Sequence, residues 1–211
     1  SSKASASGRW LLENFLCPSD SGRLAASQML GRAVAVAEMV GIELDKLALK
    51  GGSCTGAGVL QEKNQKLGDV LNARTFAMAE KSGLPLMTIC STCQGVMAQA
   101  NQRLLKNPDY LASINDDLRE EGLEYKGTID PKHLLWIIAE DLGLEFLESK
   151  IVRKLGGLKL APFYGCYIVR PSEALGFSEN PGRKQALESV IEAVGAEVVE
   201  FPGKSLCCGF P

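Results

Sequence analysis

The sequence contains no apolar run long enough to cross a membrane, since a spanning helix needs about 18 consecutive apolar residues or more. It also lacks an excess of positive charge. Its net charge of −2 gives no electrostatic reason to expect nucleic acid as a partner. The Ser-rich start, residues 1–9, has no apolar signal core and is predicted to be a flexible terminus. These absences predict a cytoplasmic protein, with peripheral attachment to a membrane as the alternative.

Cysteine is abundant by contrast, with seven residues in a chain of 211. In a reducing compartment thiols stay reduced, so cysteines there serve metal binding or redox chemistry more often than structural disulfides. Their spacing is also unlike that of a small secreted scaffold. The cysteine pattern therefore predicts a metal-binding or redox protein.

Two stretches of the chain align without a gap. Residues 40–54 read VGIELDKLALKGGSC, and residues 194–208 read VGAEVVEFPGKSLCC. Each begins with Val-Gly, continues with an alternating apolar run and a turn containing Gly and Lys, and ends in cysteine. Gly41 and Gly195 are suited to the position just past a helix end. The repeat predicts an internal duplication.

Each copy extends upstream in the same order. Apolar residues at helical spacing predict helices over 23–40 and 181–194, just before the two Val-Gly pairs. A strand-like run ending in cysteine precedes each helix: WLLENFLC ends at Cys17, and LKLAPFYGC ends at Cys166. The predicted unit, strand–Cys–helix–strand–Cys, therefore occurs twice.

Only the first copy continues to a CxxC motif. A helix is predicted over 57–82, followed by LPLMTI as a short buried strand, by Cys90 and Cys93 in the motif CSTC, and by a further helix. In the second copy the sequence ends shortly after Cys207 and Cys208. We therefore expect this copy to be a truncated repeat.

The stretch between the copies is predicted to be helical. Asn107-Pro108 and Asp130-Pro131 each pair an N-cap residue with a proline at the first helical position, which predicts helices over about 108–120 and 131–149. Alternating strands and helices predict an α/β fold of two pseudo-symmetric Rossmann-like halves with mainly parallel sheets and a helical bridge. The predicted segments are the flexible terminus at 1–9, a first half at 10–106, the bridge at 107–155 and a second half at 156–211.

The cysteines of the first copy are expected to form a metal site. Cys17, Cys54 and Cys90 each follow a predicted strand, and the carboxyl ends of parallel strands share one edge of a sheet. Cys93 lies one helical turn beyond Cys90, and nearby helix N-termini favour thiolate over thiol. Four thiolates suit tetrahedral zinc or an iron–sulfur cluster. A lone CxxC would instead fit a redox dithiol.

The second copy supplies a matching set, Cys166, Cys207 and Cys208. The alternative for these three is a structural role as buried thiols. A vicinal pair at the repeat-matched position favours a site.

Together these motifs resemble the CCG (cysteine-rich) domain family, whose best-known member is the B-type subunit of heterodisulfide reductase. The resemblance covers nearly the whole chain and rests on CSTCQGVMAQANQRL, GLEYKG, APFYGCYIVRP and EAVGAEVVEFPGKSLCCGF. It implies two α/β halves with one cysteine motif each. In the complete family pattern each motif supplies five cysteines, and together they hold a non-cubane iron–sulfur cluster at which a disulfide is cleaved.

The chain departs from that pattern in both motifs. The paired position of the first motif reads Ser53-Cys54, and the second motif has no final CxxC. A four-cysteine site is better suited to structural zinc or an ordinary cubane cluster than to a five-thiolate assembly. We therefore predict zinc at the first motif. The second motif is predicted to be the catalytic, iron–sulfur half in the complete protein.

Three functions fit these features. The first is the redox subunit of a heterodisulfide-reductase-like oxidoreductase. It would take electrons from a flavoprotein and from an iron–sulfur partner that resembles the C-type subunit, and pass them to a thiol or disulfide substrate. The second is the CCG subunit of a succinate dehydrogenase or fumarate reductase that relays electrons to quinone. The third is a non-catalytic scaffold stabilised by zinc.

A few other residues have two interpretations each. His133, the single histidine, is expected to have a structural role, with metal ligation or proton transfer as the alternative. Lys50 and Lys204 occupy matching positions near the cysteines, where they would lower thiolate pKa values or simply be solvated. Tyr164 and Tyr167 flank Cys166, so that one of them could offer its hydroxyl to a substrate thiolate.

Overall fold

The protein contains two β-sheets of parallel strands, together with helices that pack against them. The computed structural model describes residues 9–12, 31–45 and 57–207. The first half contains, in chain order, β1 (Arg9–Leu12), α1 (31–39), β2 (Glu43–Asp45), α2 (Ala57–Lys63), α3 (Gln65–Ser82), β3 (Leu86–Thr88), α4 (Ser91–Lys106), α5 (Pro108–Leu118) and β4 (Lys132–His133). It is followed by α6 (Leu134–Trp136), a π-helical segment (Ile137–Leu142), α7 (Leu144–Lys150), β5 (Lys159–Leu160), a 3₁₀ segment (Pro181–Gln185), α8 (Ala186–Ala193) and β6 (Glu197–Val198).

The first sheet has the strand order β2-β1-β3-β4, and every pair is parallel. Neighbouring residues of its central strands face opposite sides. Leu11 and Leu86 enter the cluster formed with α3, α4 and α5, whereas Trp10 and Met87 enter the cluster formed with α1 and the π-helical segment. A parallel sheet covered on both faces buries nearly every strand residue, which explains the unbroken apolar runs in the sequence.

The second sheet pairs β5 with β6 and repeats the local geometry of β1 and β2. Lys159 is the partner of Glu197, as Arg9 is of Glu43, and each cation lies 3.5–3.7 Å from the opposite carboxylate. Gly41 and Gly195 have positive φ angles, and each N–H donates to a glutamate carbonyl three residues earlier. A glycine with positive φ therefore ends both α1 and α8, which supports the predicted duplication.

Several boundaries differ from the sequence prediction. The predicted helix over 57–82 is two helices, because Asn64 interrupts it and its side chain accepts a hydrogen bond from the Leu67 amide at the start of α3. The predicted helix over 131–149 is wrong at its beginning. Lys132 and His133 pair with β3 as strand β4, so part of the predicted bridge completes the first sheet. The domain boundaries themselves stay a prediction.

The helical prediction after Asn107 is confirmed. The Asn107 side chain accepts a hydrogen bond from the Tyr110 amide at 3.1 Å, and Pro108 occupies the first position of α5. The α/β class with a mainly parallel sheet is likewise confirmed. In the described part of the chain, no helix is both long and apolar enough to cross a bilayer.

A third apolar cluster joins the two halves. Trp136 lies at its centre, 1% exposed, with Phe177 packed edge-on at 6.2 Å between ring centroids. The Arg183 guanidinium lies over the Trp136 ring, 4.3 Å from its centroid, and forms two hydrogen bonds with Glu140. Ala98 of α4 belongs to the same cluster, so this helix contacts the second half directly.

Candidate functional site

The CxxC motif of the first half lies at the beginning of α4. Cys90 is the N-cap residue, in extended conformation, and Cys93 is buried one turn later. A hydrogen bond from the Cys93 thiol, helped by the backbone N–H groups of Thr92 and Cys93, lowers the pKa of Cys90 to about 6, although burial opposes the shift. Cys90 is therefore mainly thiolate at neutral pH in the metal-free protein, the form that binds metals.

A buried glutamine fixes this motif to the sheet. Gln94 follows Cys93, is 2% exposed, and accepts a hydrogen bond from the Thr88 hydroxyl of β3 at 2.7 Å. Its amide nitrogen donates to the Pro131 carbonyl at 2.7 Å, just before β4. These two hydrogen bonds hold the first turn of α4 against the last residue of β3 and against the residue that precedes β4. Gln94 was not identified from the sequence, because its partner Pro131 lies 37 residues further along the chain, next to a strand that was not predicted.

The cysteines of the second half lie on two loops that are tied together. The Tyr164 amide donates to the Lys204 carbonyl at 2.8 Å, and the Arg170 side chain donates to the Ser205 carbonyl at 3.2 Å. Cys166 begins a turn, since its carbonyl accepts hydrogen bonds from the amides of both Val169 and Arg170. Strand β5 ends at Leu160, several residues before Cys166. The expectation that a strand runs directly up to Cys166 is therefore wrong.

Cys166 and Cys207 line one cavity of about 770 Å³ between the two halves. The first half contributes residues of α2 and α4, namely Val59, Glu62, Lys63 and Gln99. The second half contributes the two cysteines with Tyr167, Arg170 and Pro171. Two thiols in a cavity of this size leave room for a cofactor or substrate beside them. The residues from α2 and α4 gave no signal in the sequence.

The two tyrosines beside Cys166 have different surroundings. The Tyr164 hydroxyl donates a hydrogen bond to Glu188 and accepts one from the Leu187 amide at 2.9 Å, so it is fully engaged in the protein. Tyr167 lines the cavity instead. Burial, followed by the negative charges of Glu62 and the two cysteines, raises its pKa, which keeps its hydroxyl protonated. Of the two tyrosines considered from the sequence, Tyr167 is the one positioned beside the cysteines.

Lys204 and His133 have structural partners. The Lys204 ammonium pairs with Glu188 at 2.9 Å and with Glu200 at 3.0 Å, so it is an ion-pairing residue, and neither of the two roles considered from the sequence describes these contacts. The His133 Nδ1 atom accepts a hydrogen bond from the Leu135 amide at 3.1 Å and so caps α6. This agrees with the structural role expected for His133. Lys50 lies outside the described residues.

The predicted ligand sets are described only in part. Cys17, Cys54 and Cys208 lie outside the described residues, so the convergence of each set stays a prediction. Among the residues that the structure does describe, no group of three or more His, Cys, Asp or Glu side chains could hold a metal ion. The pair formed by Cys90 and Cys93 nevertheless fits a soft metal. Two thiols one turn apart at a helix N-terminus, one already acidic, match the donors that zinc and iron–sulfur clusters require.

Comparison with known proteins identifies the family of the two cysteine-containing segments. Residues 17–98 and 160–211 each match the model of the cysteine-rich domain, CCG, and together they cover more than half of the chain. The chain belongs to the cysteine-rich domain family. Two matches to one family model are what the internal duplication predicts, and each CCG match contains one of the two cysteine motifs.

The most similar relatives of this CCG protein include subunits of two kinds of reductase. The chain is 38% identical over 83% of its length to the 8-methylmenaquinol:fumarate reductase membrane anchor subunit of Wolinella succinogenes, of which it covers 60%. It is 36% identical over 80% of its length to the B-type subunit of the ferredoxin/F(420)H(2)-dependent CoB-CoM heterodisulfide reductase of Methanosarcina acetivorans, of which it covers 56%. A protein of Archaeoglobus profundus that is named as similar to the same heterodisulfide reductase subunit is 33% identical over 81% of the chain.

The CCG chain thus spans just over half the length of these relatives. A solved structure, that of a hypothetical protein from Helicobacter pylori, superposes with a TM-score of 0.65 over 90% of this chain and 33% of its own, at 15% identity. At that identity the likeness supports the α/β fold alone.

Proposed function

We propose that this protein is the redox subunit of a heterodisulfide-reductase-like complex, in which it passes electrons to a thiol or disulfide substrate. The observation that carries the proposal is the cavity between the halves, where Cys166 and Cys207 face open space large enough for a cofactor and a substrate. The relatives named after heterodisulfide reductase support the same interpretation. Reduction of a disulfide consumes two electrons and two protons and yields two thiols.

The two cysteine motifs have separate roles in this proposal. Cys166, Cys207 and Cys208 hold an iron–sulfur cofactor in the complete protein and form the catalytic site. Such a cofactor supplies one-electron chemistry at the cavity. Cys17, Cys54, Cys90 and Cys93 hold a structural zinc, which contributes to folding rather than to electron transfer. Tyr167 and Arg170 position the substrate from the cavity wall.

The electrons come from partner proteins in this proposal, namely a flavoprotein and an iron–sulfur protein that resembles the C-type subunit of heterodisulfide reductase. The protein works in the cytoplasm, either in solution or attached peripherally to a membrane. The relatives named as subunits of reductases support an assembly of this kind.

A second candidate function is electron transfer to quinone in a fumarate reductase or succinate dehydrogenase. It is favoured by the 38% identity to the fumarate reductase subunit of Wolinella succinogenes. The serine at position 53 also fits this interpretation, because such subunits resemble the same cysteine-rich family. The two functions differ in their acceptor, a disulfide or a quinone. A zinc-only scaffold is the outcome that would exclude both.

Metal analysis of anaerobically purified full-length protein tests the proposal. We expect both zinc and iron with acid-labile sulfide. Cys90→Ala should remove the zinc and lower the melting temperature, whereas Cys166→Ala should remove iron and sulfide and leave the zinc in place. Oxidation of a reduced viologen dye by a disulfide, compared with a menaquinone analogue, then identifies the acceptor. Colourless protein that contains zinc alone after reconstitution with iron and sulfide would refute both redox functions.

A further inference from the structure

One contact joins the helix of the first cysteine motif to the loop of the second. Gly95 lies on α4, two residues after Cys93, and Tyr167 directly follows Cys166. A β-carbon on Gly95 would lie 2.9 Å from the Tyr167 β-carbon and 2.9 Å from its ring, and would overlap the Tyr167 backbone oxygen. Non-bonded carbon atoms rest at about 3.5–4.0 Å, so only glycine allows the two segments to approach this closely.

The same helix face continues into the cavity wall. Gln99 lies one turn after Gly95, donates a hydrogen bond to its carbonyl at 3.0 Å, and lines the cavity that Cys166 and Cys207 share. Gln99 also accepts a hydrogen bond from Gln61 of α2, a helix that lines the same cavity. Helix α4 therefore begins at one cysteine motif and forms part of the site of the other.

We propose that Gly95 is a positioning residue for the second cysteine motif. By letting α4 touch the backbone of Tyr167, it sets the place of Cys166 within the cavity and relative to Cys207. The first half thus acts as a rigid template for the reacting half. The inference rests on the proposed function in that it takes Cys166 and Cys207 as the reacting site, but the contact itself does not depend on any cofactor.

The test is Gly95→Ala in the full-length protein. The added methyl group forces the loop at Tyr167 away by roughly 0.5–1 Å, because carbon contacts shorter than about 3.5 Å are repulsive. In metal-free, reduced protein we expect iodoacetamide to alkylate Cys166 several-fold faster than in the wild type, as read by peptide mass spectrometry, with the rate at Cys90 unchanged. In protein reconstituted with iron and sulfide, the electron paramagnetic resonance spectrum should change while zinc content stays constant.

Gly68→Ala is the matched control. Gly68 is also a buried helical glycine, but a β-carbon there would lie 3.6 Å from its nearest neighbour, an ordinary contact. This variant should alkylate like the wild type. A folded Gly95→Ala protein with wild-type alkylation at Cys166 would overturn the proposal.

A second pair of variants covers the case in which Gly95→Ala does not fold. Tyr167→Ala removes the ring that packs on Gly95 and should raise the alkylation rate of Cys166, whereas Tyr167→Phe keeps the ring and should not. Equal rates in these two variants would also overturn the proposal. Alkylation is measured without metal, so it reports on positioning alone. Iron and sulfide analysis reports separately on the redox function, and either result can fail without the other.

Discussion

His133 gives the protein a stability that depends on pH in a measurable way. It is the last residue of β4, and its Nδ1 atom accepts a hydrogen bond from the Leu135 amide, which only the neutral ring with its proton on Nε2 allows. Its Nε2 atom is buried. Burial lowers the pKa of His133 from 6.5 to about 4, although the nearby Ile89 backbone opposes the shift. The folded protein therefore holds this ring in its neutral form.

The size and direction of the effect follow from linkage between proton binding and folding. In the unfolded chain His133 takes up a proton near pH 6.5, whereas in the folded protein it does so only near pH 4. The stabilising contribution is fully present above pH 6.5, is lost as the pH falls from 6.5 towards 4, and changes no further below that. At about 1.4 kcal/mol per pKa unit, the loss amounts to up to about 3 kcal/mol.

Chemical denaturation between pH 7.5 and 4 measures this loss, with His133→Asn as the matched variant. Asparagine does not titrate, and its side-chain oxygen can accept the hydrogen bond from Leu135, since asparagine is a favoured N-cap residue. Subtracting the two unfolding free energies at each pH removes the contribution of carboxylates that titrate in the same range. The wild type should lose stability relative to the variant below pH 6.5. A difference that stays constant from pH 7.5 to 4 would refute the reasoning.

Three further predictions follow from buried polar groups. Gln94→Met should lower the free energy of unfolding by about 2–3 kcal/mol in denaturant titrations, because it leaves two buried partners unpaired; an unchanged midpoint would contradict this. Arg183→Met should cost about 2–4 kcal/mol through loss of its paired hydrogen bonds to Glu140, whereas Lys106→Met, which breaks an exposed ion pair, should leave the unfolding midpoint almost unchanged. In metal-free protein the alkylation rate of Cys90 should fall as the pH is lowered through about 6, and a profile centred near 9 would contradict the thiolate assignment.

The features that the sequence predicted well depend on local chemistry. The ends of α1 and α8 were expected at Gly41 and Gly195, since only a residue that adopts positive φ easily can end a helix in this way. Asn107-Pro108 was expected to start α5, because a side-chain cap and a proline with fixed φ act within one turn. Both signals are contained in a few consecutive residues.

The features that were missed depend on distant parts of the chain. Asp130-Pro131 has the composition of a helix start, yet the next two residues pair with Met87 and Thr88 of β3. A strand of two residues has no periodicity of its own, so only the neighbouring strand reveals it. The break at Asn64 was hidden in the same way by continuous helical spacing on both sides of it.

The candidate site likewise has one part that local sequence predicted and one part that depends on distant segments. Cysteine spacing pointed to Cys90 and Cys93, and the structure places them together at a helix N-terminus. The spacing could not indicate that α2 and α4 would enclose Cys166 and Cys207. That cavity depends on the approach of Gly95 to Tyr167, and the sequence separating these two residues carries no signal for it.

The pairing of β1 with β3 also governs how this chain reaches its fold. Leu11 is the partner of Leu86, so 74 residues, which include β2, α1, α2 and α3, separate these two positions of neighbouring central strands. Contacts across such long loops cost chain entropy before they yield stability, and folds built on them form slowly. During synthesis β1 cannot pair with β3 until β3 has left the ribosome. The face of β1 that carries Leu11 lacks this partner in that interval, which leaves an apolar strand edge open to aggregation.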